Sequence, residues 1–368
     1  MGTGSDRKHR RGLPRSIALV APFPPPQAGM SNQALFTRLI LEREGLRVAV
    51  CKTNHLPTRY RKINQLVRPI LLYADCLRCI PCSRAVVIFP HYNRGFFAFT
   101  IPPVLLAMLF NKPVYYLVKG GRIPEFLERY GRLALPFFRW SEKIIVPSAF
   151  LAKCFDKHSI TAEILADIID LSMFRGAKRD APQGSRLLSA RSLDDPVYGI
   201  DTIIKAIPQI LKQHRDVKLT ILGDGSERKR LTKLVEGMGL SRVVEFGGQV
   251  SAEEVVGYMQ KADLLVNASL VDNYPNAILE AMAMGLPVVT TLVGGIPYLV
   301  EDGKTAVGFA AGDSQSLGEK VMQVLGNKAL YRRLSRNGRE KVAGLVWRLD
   351  RNGLAEKIFK WSNESMAG

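Results

Sequence analysis

Short runs of β-branched and other apolar residues alternate with amphipathic stretches along most of this chain. Runs of this kind predict buried strands, which in the first half of the chain are Ser16–Ala21, Arg47–Cys51, Ala85–Phe89, Pro113–Val118 and Lys143–Val146. A second series comprises Arg186–Ala190, Lys218–Leu222, Val243–Phe246, Leu264–Val266, Val288–Thr290 and Ala306–Phe309. The stretches between strands favour helices, as at Ser31–Glu44, where Leu35, Leu39 and Ile40 have helical spacing. The pattern therefore predicts an α/β protein with parallel strands.

The two tandem series predict two Rossmann-like, doubly wound parallel sheets that face each other across a cleft. In such sheets ligands bind at the carboxyl ends of the strands. A stretch of small and charged residues with Pro182 and two glycines reads as the interdomain connection. The predicted organisation is a basic tail over 1–14, an N-terminal acceptor-side domain over 15–171, a connection over 172–185, a donor domain over 186–345, and a C-terminal helix over 346–368. One possible arrangement is that this C-terminal helix packs back against the N-terminal domain.

Composition places the chain among soluble globular proteins. It has 368 residues, 47% hydrophobic and 23% charged, which suits two domains of ordinary size. The longest apolar stretch, Ile101 to Val118, is interrupted by Asn111-Lys112-Pro113, so we expect no membrane-spanning helix. The basic N-terminus faintly resembles a signal peptide, but its apolar run is short and reaches Pro24-Pro25-Pro26. We therefore expect a first strand there and a cytoplasmic protein.

The positive charge is concentrated in the first half of the chain. Residues 1–170 hold 25 of the 52 lysines and arginines but only 11 of the 33 acidic residues, and so carry +14 of the net +19. This asymmetry indicates an anionic partner, such as phospholipid headgroups or a lipid-diphosphate acceptor. Nucleic acid fits less well, because no nucleic-acid-binding motif accompanies the charge.

One segment of the first half interleaves cations with apolar residues. Its cations are Arg59, Arg61, Lys62, Arg68, Arg78 and Arg84, and its apolar residues are Tyr60, Leu66, Val67, Ile70, Leu71, Leu72 and Tyr73. A basic amphipathic helix can lie on an anionic membrane, which would make the protein peripheral on the inner face of the cell membrane. An ordinary core-packing helix with a solvated basic face is the alternative.

Three of the five cysteines, Cys76, Cys79 and Cys82, recur every three residues. Thiols at this spacing can ligate zinc or part of an iron–sulfur cluster. Cys51, His55 and His91 are the candidates for a fourth ligand. Coincidence in a chain with reduced thiols explains the spacing better.

The segment from Asp272 to Val289 carries the most chemical information. Pro275 suits the first turn of a helix, because the N–H that it lacks has no partner there. The amides of Asn276 and Ala277 would then form an anion site at the helix N-terminus, and Glu280 would lie on the helix itself. An anion site between two carboxylates that can accept sugar hydroxyls suits a nucleotide-sugar diphosphate. A βα unit with ordinary surface acids is the alternative.

Five further features are individually weak but occur in a consistent order. Each follows a predicted strand and supplies glycines or cations that suit an anionic ligand, although each is also compatible with an ordinary turn. They are Pro24-Pro-Pro-Gln-Ala-Gly29-Met30, Lys119-Gly-Gly-Arg122, Ser189-Ala-Arg191, Leu222-Gly-Asp-Gly-Ser-Glu-Arg228 and Gly294-Gly-Ile-Pro297.

With these motifs the chain resembles the retaining, GT-B-fold glycosyltransferases of family 4, also called glycosyl transferases group 1. The resemblance is strong over Leu187–Asp313 and looser in the first half. It rests on Leu188-Ser-Ala-Arg191, Ile221-Leu-Gly-Asp-Gly225, Ala262-Asp263, Glu280-Ala-Met-Ala-Met-Gly-Leu-Pro-Val289 and Gly294-Gly-Ile-Pro297, and in the first half on Gly29-Met30, Gly120-Gly121, Val146-Pro-Ser148 and Ile168-Ile-Asp170.

The resemblance implies roles for particular residues. Glu280 would hold the donor ribose, and Arg191 would neutralise the departing diphosphate. Gly29 would approach the diphosphate from the other domain. The remaining donor contacts would involve Asn273, Tyr274, Asn276, Ala277, Gly225 and Val250, several of them through the backbone. No metal ion and no cofactor are implied, since the nucleotide-sugar is a substrate.

Three positions depart from the family pattern. Asp272 replaces the usual first Glu of the acid pair and is one methylene shorter. Tyr198 stands where a Lys is common, so one cation at the leaving group is missing, although a tyrosine hydroxyl can still donate to phosphate. Lys119 stands where the family often has His, which could restore the lost charge or mark altered activity.

The sequence thus predicts a metal-independent, retaining hexosyltransferase that moves a sugar from a UDP- or GDP-sugar to a cell-surface glycan, such as lipopolysaccharide, or to a lipid-linked acceptor. Catalysis would come from Arg191, Asp272 and Lys119. The leaving phosphate oxygen itself would take the acceptor proton, so no side-chain base is needed. A catalytically weakened sugar-nucleotide-binding subunit, a sugar-nucleotide epimerase and a glycan phosphorylase are the alternatives.

Overall fold

The computed structural model describes residues 15–24, 29–55, 61–174, 176, 179–345, 347–348 and 351–359, with side chains omitted for 61–66 and 347–348. The chain forms two compact units. The first holds the described residues up to Ile168 and those from Trp347 onward, and the second runs from Ile169 to Val346.

The first unit is built on a parallel sheet of six strands in the order β2-β1-β3-β4-β5-β6. Its strands are β1 (Ser16–Ala21), β2 (Arg47–Lys52), β3 (Ala85–Ile88), β4 (Val114–Leu117), β5 (Lys143–Val146) and β6 (Glu163–Ile164). The central strands β3 and β4 are buried along their whole length, which is why they read as unbroken apolar runs. The order reverses between β1 and β3, as in flavodoxin-like sheets.

Helices cover both faces of this sheet. They are α1 (Gly29–Arg43), α2 (Arg61–Cys79), α3 (Ile101–Leu109), α4 (Ile123–Arg139) and α5 (Ala149–Asp156), with a π-helical turn at Phe96–Thr100 before α3 and the C-terminal α13 (Leu354–Phe359). Helices α2 to α5 pack over one apolar cluster that contains Leu72, Val104 and Phe138. Helices α1 and α13 pack over the opposite cluster, with Ile40 and Ile358.

The second unit has its own six-stranded parallel sheet, in the order β10-β9-β8-β11-β12-β13. Its strands are β8 (Arg186–Ala190), β9 (Lys218–Leu222), β10 (Val244–Gly248), β11 (Leu264–Asn267), β12 (Val288–Thr291) and β13 (Val307–Phe309). Counted from β8, this is the 3-2-1-4-5-6 order of dinucleotide-binding sheets. Two short strands, β7 (Ile168–Ile169) and β14 (Trp347–Arg348), lie outside both large sheets.

The helices of the second unit also form two layers. They are α6 (Ile200–Leu211), α7 (Arg228–Gly237), α8 (Ala252–Lys261), α9 (Asn276–Ala283), α10 (Ile296–Leu299), α11 (Ser314–Gly326) and α12 (Lys328–Leu345), with a 3-10 turn at Pro196–Tyr198. One apolar cluster joins α6, α7 and α11 through residues such as Ile207, Leu231 and Val321. The other cluster lies under α9 and α10, with Ile278 and Ile296.

The predicted fold class, α/β with two Rossmann-like doubly wound parallel sheets, is confirmed. Every predicted strand is present, with ends shifted by at most two residues. Strand β6 was missed, because two residues at a sheet edge leave almost no periodic signal. The chain passes between units at Ile168–Ile169 rather than within 172–185, and Phe174 from that stretch packs in the core of the second unit.

Three other expectations from the sequence concern a membrane-spanning helix, the cysteines and the basic helix. Among the described residues no helix is long and apolar enough to cross a membrane. No group of three metal-binding side chains occurs in the described part of the chain, and Cys51, Cys76 and Cys79 are buried free thiols while Cys82 is exposed. In the predicted basic helix, residues 56–60, including Arg59, lie outside the described residues, and helix α2 begins at Arg61.

The C-terminal segment is anchored within the first unit by Glu44, which follows α1. One carboxylate oxygen accepts the amides of Gly353 (2.7 Å) and Leu354 (2.9 Å), and the other accepts that of Ala355 (2.8 Å). These amides belong to the start of α13, where no intrahelical acceptor exists. A side chain distant in sequence therefore caps this helix.

Replacing Glu44 with Gln should loosen α13, because a carboxamide has one acceptor oxygen and turns an N–H group towards the amides. Hydrogen bonds to a charged acceptor contribute about 1.5–3 kcal/mol. We expect amide hydrogen exchange over 353–359 to accelerate by about tenfold or more. Glu42→Gln is the matched control, since Glu42, on the last turn of α1, pairs with the neighbouring Arg38 at the surface. Equal exchange in both variants would contradict the capping role.

Candidate active site

The predicted donor residues of the second unit collect where its strand order reverses. Arg191 directly follows β8, and Asp272 lies in the segment that follows β11. Strands β8 and β11 are neighbours in the sheet, but their onward connections run to opposite sides. In open α/β sheets this reversal leaves a crevice at the carboxyl edge, because the two connections diverge.

Arg191 is held between a carboxylate and an aromatic ring. Its Nη2 donates a hydrogen bond to Oδ2 of Asp272, and its Cζ lies 4.5 Å from the centroid of the Tyr198 ring. Both members of the ion pair are largely buried, with side-chain exposures of 13% and 12%. A guanidinium has five N–H donors, and this contact uses one nitrogen. Arg191 is therefore oriented by the protein while keeping donors for an anion.

Several groups fix Asp272. The Ser269 hydroxyl lies 3.1 Å from Oδ2, and the amide of Gly295 donates to the Asp272 carbonyl over 3.0 Å. Gly294 has φ of +55°, and a Cβ at this position would overlap the same carbonyl oxygen. The Gly294-Gly295 motif therefore allows the turn after β12 to approach the Asp272 segment closely.

Glu280 lies on α9, one turn from its N-terminus. The helix begins at Asn276, and Pro275 is its N-cap residue rather than a member of its first turn. The amides of Asn276 and Ala277 therefore stand where helix geometry supplies no acceptor. The Glu280 carboxylate forms no hydrogen bond with another described residue, while its backbone carbonyl accepts the amide of Met284. Burial raises the pKa of Glu280 to about 7, although the positive charge of Arg191 acts in the opposite direction.

The other predicted donor residues of this unit lie at the same edge of the sheet. Gly225 follows β9, and a Cβ there would overlap the Leu193–Asp194 backbone. Val250 follows β10 and packs in the same apolar cluster as Tyr274. The Tyr274 hydroxyl donates to the carbonyl of Leu345, so this side chain faces the protein, and Asn273 is buried.

The first unit contains the remaining two predicted residues. Lys119 follows β4, and its Nζ lies 2.6 Å from Oδ1 of Asp167, with both side chains 7% exposed. Asp167 thus neutralises the charge that we predicted for the leaving group, and the catalytic role of Lys119 stays a prediction. Gly29 is the first residue of α1, and a Cβ there would meet no described atom within 4 Å. The packing of its own unit therefore does not require glycine.

Sequence reasoning missed the polar residues that support this site. Ser269 contacts Asp272, and Asn267 donates from Nδ2 to the Thr290 hydroxyl over 3.1 Å. Asp167, the partner of Lys119, was also missed. The available signal was a polar residue directly after a buried apolar run, as at Asn267 and Thr290, because that position falls at the carboxyl edge of the sheet.

Two doubly wound parallel sheets in one chain are the architecture of the GT-B fold. Comparison with known families agrees. Residues 181–341 match the family model described as "Glycosyl transferases group 1". This part of the chain is therefore a glycosyl transferases group 1 domain.

Relatives support the same assignment. An uncharacterized glycosyltransferase of Methanocaldococcus jannaschii is 31% identical over 41% of this chain and 42% of its own length. The lipopolysaccharide core biosynthesis glycosyltransferase LpsE of Rhizobium meliloti is 29% identical over 46% of this chain and 48% of its own length. The chain thus spans about half the length of these curated relatives.

Similarity to solved structures extends over nearly the whole chain. Anabaena HepE, solved in complex with UDP and glucose, has a TM-score of 0.71 at 16% identity and covers 94% of this chain and 98% of its own. Sucrose-phosphate synthase from Thermosynechococcus elongatus has a TM-score of 0.74 at 18% identity, covering 93% and 97%. At these identities the similarity establishes the fold.

Glu280 should make stability depend on pH. Its folded-state pKa of about 7 exceeds the ordinary 4.5, so between these values the folded protein holds a proton that the unfolded chain has lost. The free energy of unfolding therefore falls as pH rises through this window, by roughly 2–3 kcal/mol from this group. Denaturation of wild type and Glu280→Gln at pH 5 and pH 8 measures this fall, which the variant should lack.

The exposed Glu253 on α8 provides the matched control, since Glu253→Gln makes the same change of charge on the same unit. This variant should follow the wild-type dependence on pH. If Glu280→Gln also followed it, the raised pKa of Glu280 would be wrong.

Proposed function

We propose that this protein is a retaining glycosyltransferase that moves a hexosyl group from a nucleotide-sugar to a cell-surface glycan or lipid-linked acceptor. The observation that carries the proposal is Glu280, a carboxylate without a hydrogen-bond partner among the described residues, close to Arg191 at the carboxyl edge. Glu280 is half-buried, so a ligand from solvent can reach its carboxylate. Ribose hydroxyls are suitable donors for it.

The donor would bind in three parts. The ribose would donate hydrogen bonds to Glu280. The diphosphate would accept the amides of Asn276 and Ala277, where the helix N-terminus favours negative charge. The base would lie along Gly225 and the turn before Val250.

Arg191 would act on the leaving group. Departure of a nucleoside diphosphate builds negative charge on phosphate oxygens while the sugar becomes oxocarbenium-like. A pre-oriented guanidinium stabilises that charge without reorganisation during the reaction. Asp272 and Tyr198 fix its position, since they contact it directly. With attack on the same face of the sugar, the leaving oxygen takes the acceptor proton and configuration is retained.

The relatives support a choice of substrates. HepE binds UDP and glucose, and LpsE is a glycosyltransferase of lipopolysaccharide core biosynthesis. For this chain we propose a UDP- or GDP-sugar donor and an acceptor of bacterial-surface type, without a metal ion or a cofactor. The proposed location is the cytoplasm, at the inner face of the membrane.

Donor binding can be tested by thermal melting with UDP-, GDP-, ADP- and dTDP-sugars and the free diphosphates. A ligand at 100 times its dissociation constant adds about 2.7 kcal/mol of stability. We expect one nucleotide family to raise the melting temperature, and Glu280→Ala to abolish that rise. The Glu253→Ala variant should respond like wild type.

Release of nucleoside diphosphate in the same samples separates an enzyme from a binding subunit. Binding without release, with any acceptor offered, would favour a catalytically weakened subunit. A melting temperature unchanged by every nucleotide would remove the proposed function.

Tyr198 tests how Arg191 is positioned. If the ring holds the guanidinium, Tyr198→Phe should keep kcat within about threefold, while Tyr198→Ala should lower it about tenfold, consistent with a cation–π contribution of 0.5–2 kcal/mol. If the hydroxyl instead donates to phosphate, Phe and Ala should fall together. Measured kcat at saturating donor for the three proteins distinguishes the two roles.

A further inference from the structure

A line of buried polar side chains in the second unit ends at Asp272. Asn267 at the end of β11 is the register partner of Thr290 on β12, and Ser269 follows two residues later. The Thr290 hydroxyl lies 3.1 Å from Nδ2 of Asn267. Oγ of Ser269 lies 3.2 Å from Oδ1 of Asn267 and 3.1 Å from Oδ2 of Asp272. Thr290, Asn267 and Ser269 are at most 2% exposed, so this line reaches the carboxylate from the interior of the unit.

The Ser269 hydroxyl stands between two acceptors but has one hydrogen to donate. Because Nδ2 of Asn267 faces Thr290, Oδ1 of Asn267 and the Asp272 carboxylate both need that hydrogen. A hydrogen bond to a charged acceptor is roughly twice as strong as one between neutral groups, so the carboxylate takes it. Oδ1 of Asn267 would then have no donor among the described residues, and an unpaired polar atom in the interior is costly.

A half-turn of the Asn267 carboxamide removes this conflict, because it exchanges the acceptor Oδ1 with the donor Nδ2. Thr290 then donates to Oδ1, Nδ2 donates to Ser269, and Ser269 donates to Asp272. Each of the three contacts has its own hydrogen in this orientation. The contact given up runs from the Thr290 hydroxyl to the carbonyl of Thr291 over 3.2 Å, and its acceptor is neutral. All the donors of the line therefore point from the sheet towards the carboxylate.

We propose that Ser269, acting through Asp272, is a positioning residue for Arg191. The Asn267 carboxamide, in the exchanged orientation, keeps the Ser269 hydroxyl directed at the carboxylate. This role rests on the proposed function, in which Arg191 stabilises the charge that develops on the leaving group.

The Asp272 carboxylate is held at both oxygens. Oδ2 accepts hydrogen bonds from Arg191 and Ser269, and Oδ1 accepts the amide of Asn273 over 2.9 Å. Ser269 is fixed in turn, because its carbonyl accepts the Thr291 hydroxyl over 2.7 Å. Removal of the Ser269 hydroxyl would leave Oδ2 to the guanidinium alone. The carboxylate would then turn more freely, and the direction of the guanidinium would vary with it.

Nuclear magnetic resonance of the full chain with isotope-labelled arginine tests this role without any nucleotide. A guanidinium held by its Nη atoms rotates slowly about the Nε–Cζ bond, and exchange between its two Nη signals measures the rate. Ser269→Ala should accelerate this rotation of Arg191 about fivefold or more, because a hydrogen bond to the ionised carboxylate is lost. The signal of Arg191 is assigned by its loss in Arg191→Lys.

Ser335→Ala is the matched control. Ser335 is another buried serine of the second unit, and its hydroxyl has no hydrogen-bond partner among the described residues. This variant should show the wild-type rotation of Arg191, and a cooperative melting transition in both variants shows that they fold. Equal rotation rates in the two variants would overturn the proposal.

Turnover of the donor gives a second readout. A misdirected guanidinium loses its hold on charge that develops mainly in the transition state, so Ser269→Ala should lower kcat about fivefold to tenfold and change KM less than about twofold. A raised KM with unchanged kcat would instead show a packing role and contradict the proposal. If wild type releases no nucleoside diphosphate, the proposed function fails, while the rotation of Arg191 still decides whether Ser269 positions it.

Discussion

The candidate site depends on the reversal of strand order between β8 and β11. Because one connection turns towards β9 and the other towards β12, the two connections leave a crevice above the strand ends. Arg191 and Asp272 leave the sheet on either side of this gap, and their ion pair joins its walls. The turns at Gly225 and Gly294 require glycine, because a side chain at either position would overlap the backbone of the facing loop. Every doubly wound sheet has a crevice at this place. In this protein, charged side chains line the crevice.

Much of this arrangement could be predicted from sequence. Strands such as β8 and β9 are apolar runs bounded by turn residues. Their predicted first and last residues agree with the structure. The sequence also placed Arg191 at the end of β8 and Glu280 on a helix, where the structure has them, while their roles stay predictions. Strand β6 and the cap that Glu44 provides to α13 could not be predicted, because each depends on a partner distant in sequence. Periodicity reports which side of an element is buried, and not which residue lies against it.

The departures at Tyr198 and Lys119 acquire a physical meaning from their neighbours. Tyr198 supplies no charge, but its ring lies against Arg191, so it contributes to orientation where a lysine would contribute attraction. Lys119 supplies a charge that Asp167 cancels within 2.6 Å. Paired, buried charges of this kind fix geometry more than they add stability. The proposed donor site therefore relies on Arg191, an oriented guanidinium, where the resemblance implies several cations.

This dependence on one guanidinium gives importance to the two carboxyl groups that act on it, Asp272 and Glu280. Asp272 holds Arg191 in place, but it also lowers the attraction of Arg191 for an anion. Glu280 adds little to this cost, because burial raises its pKa to about 7 and keeps it partly neutral near physiological pH. A fully ionised Glu280 would add a second negative charge beside a diphosphate. In the proposed donor complex, a carboxyl with this raised pKa can act as donor or acceptor to sugar hydroxyls, so binding of a dianionic ligand and recognition of its sugar would not oppose each other.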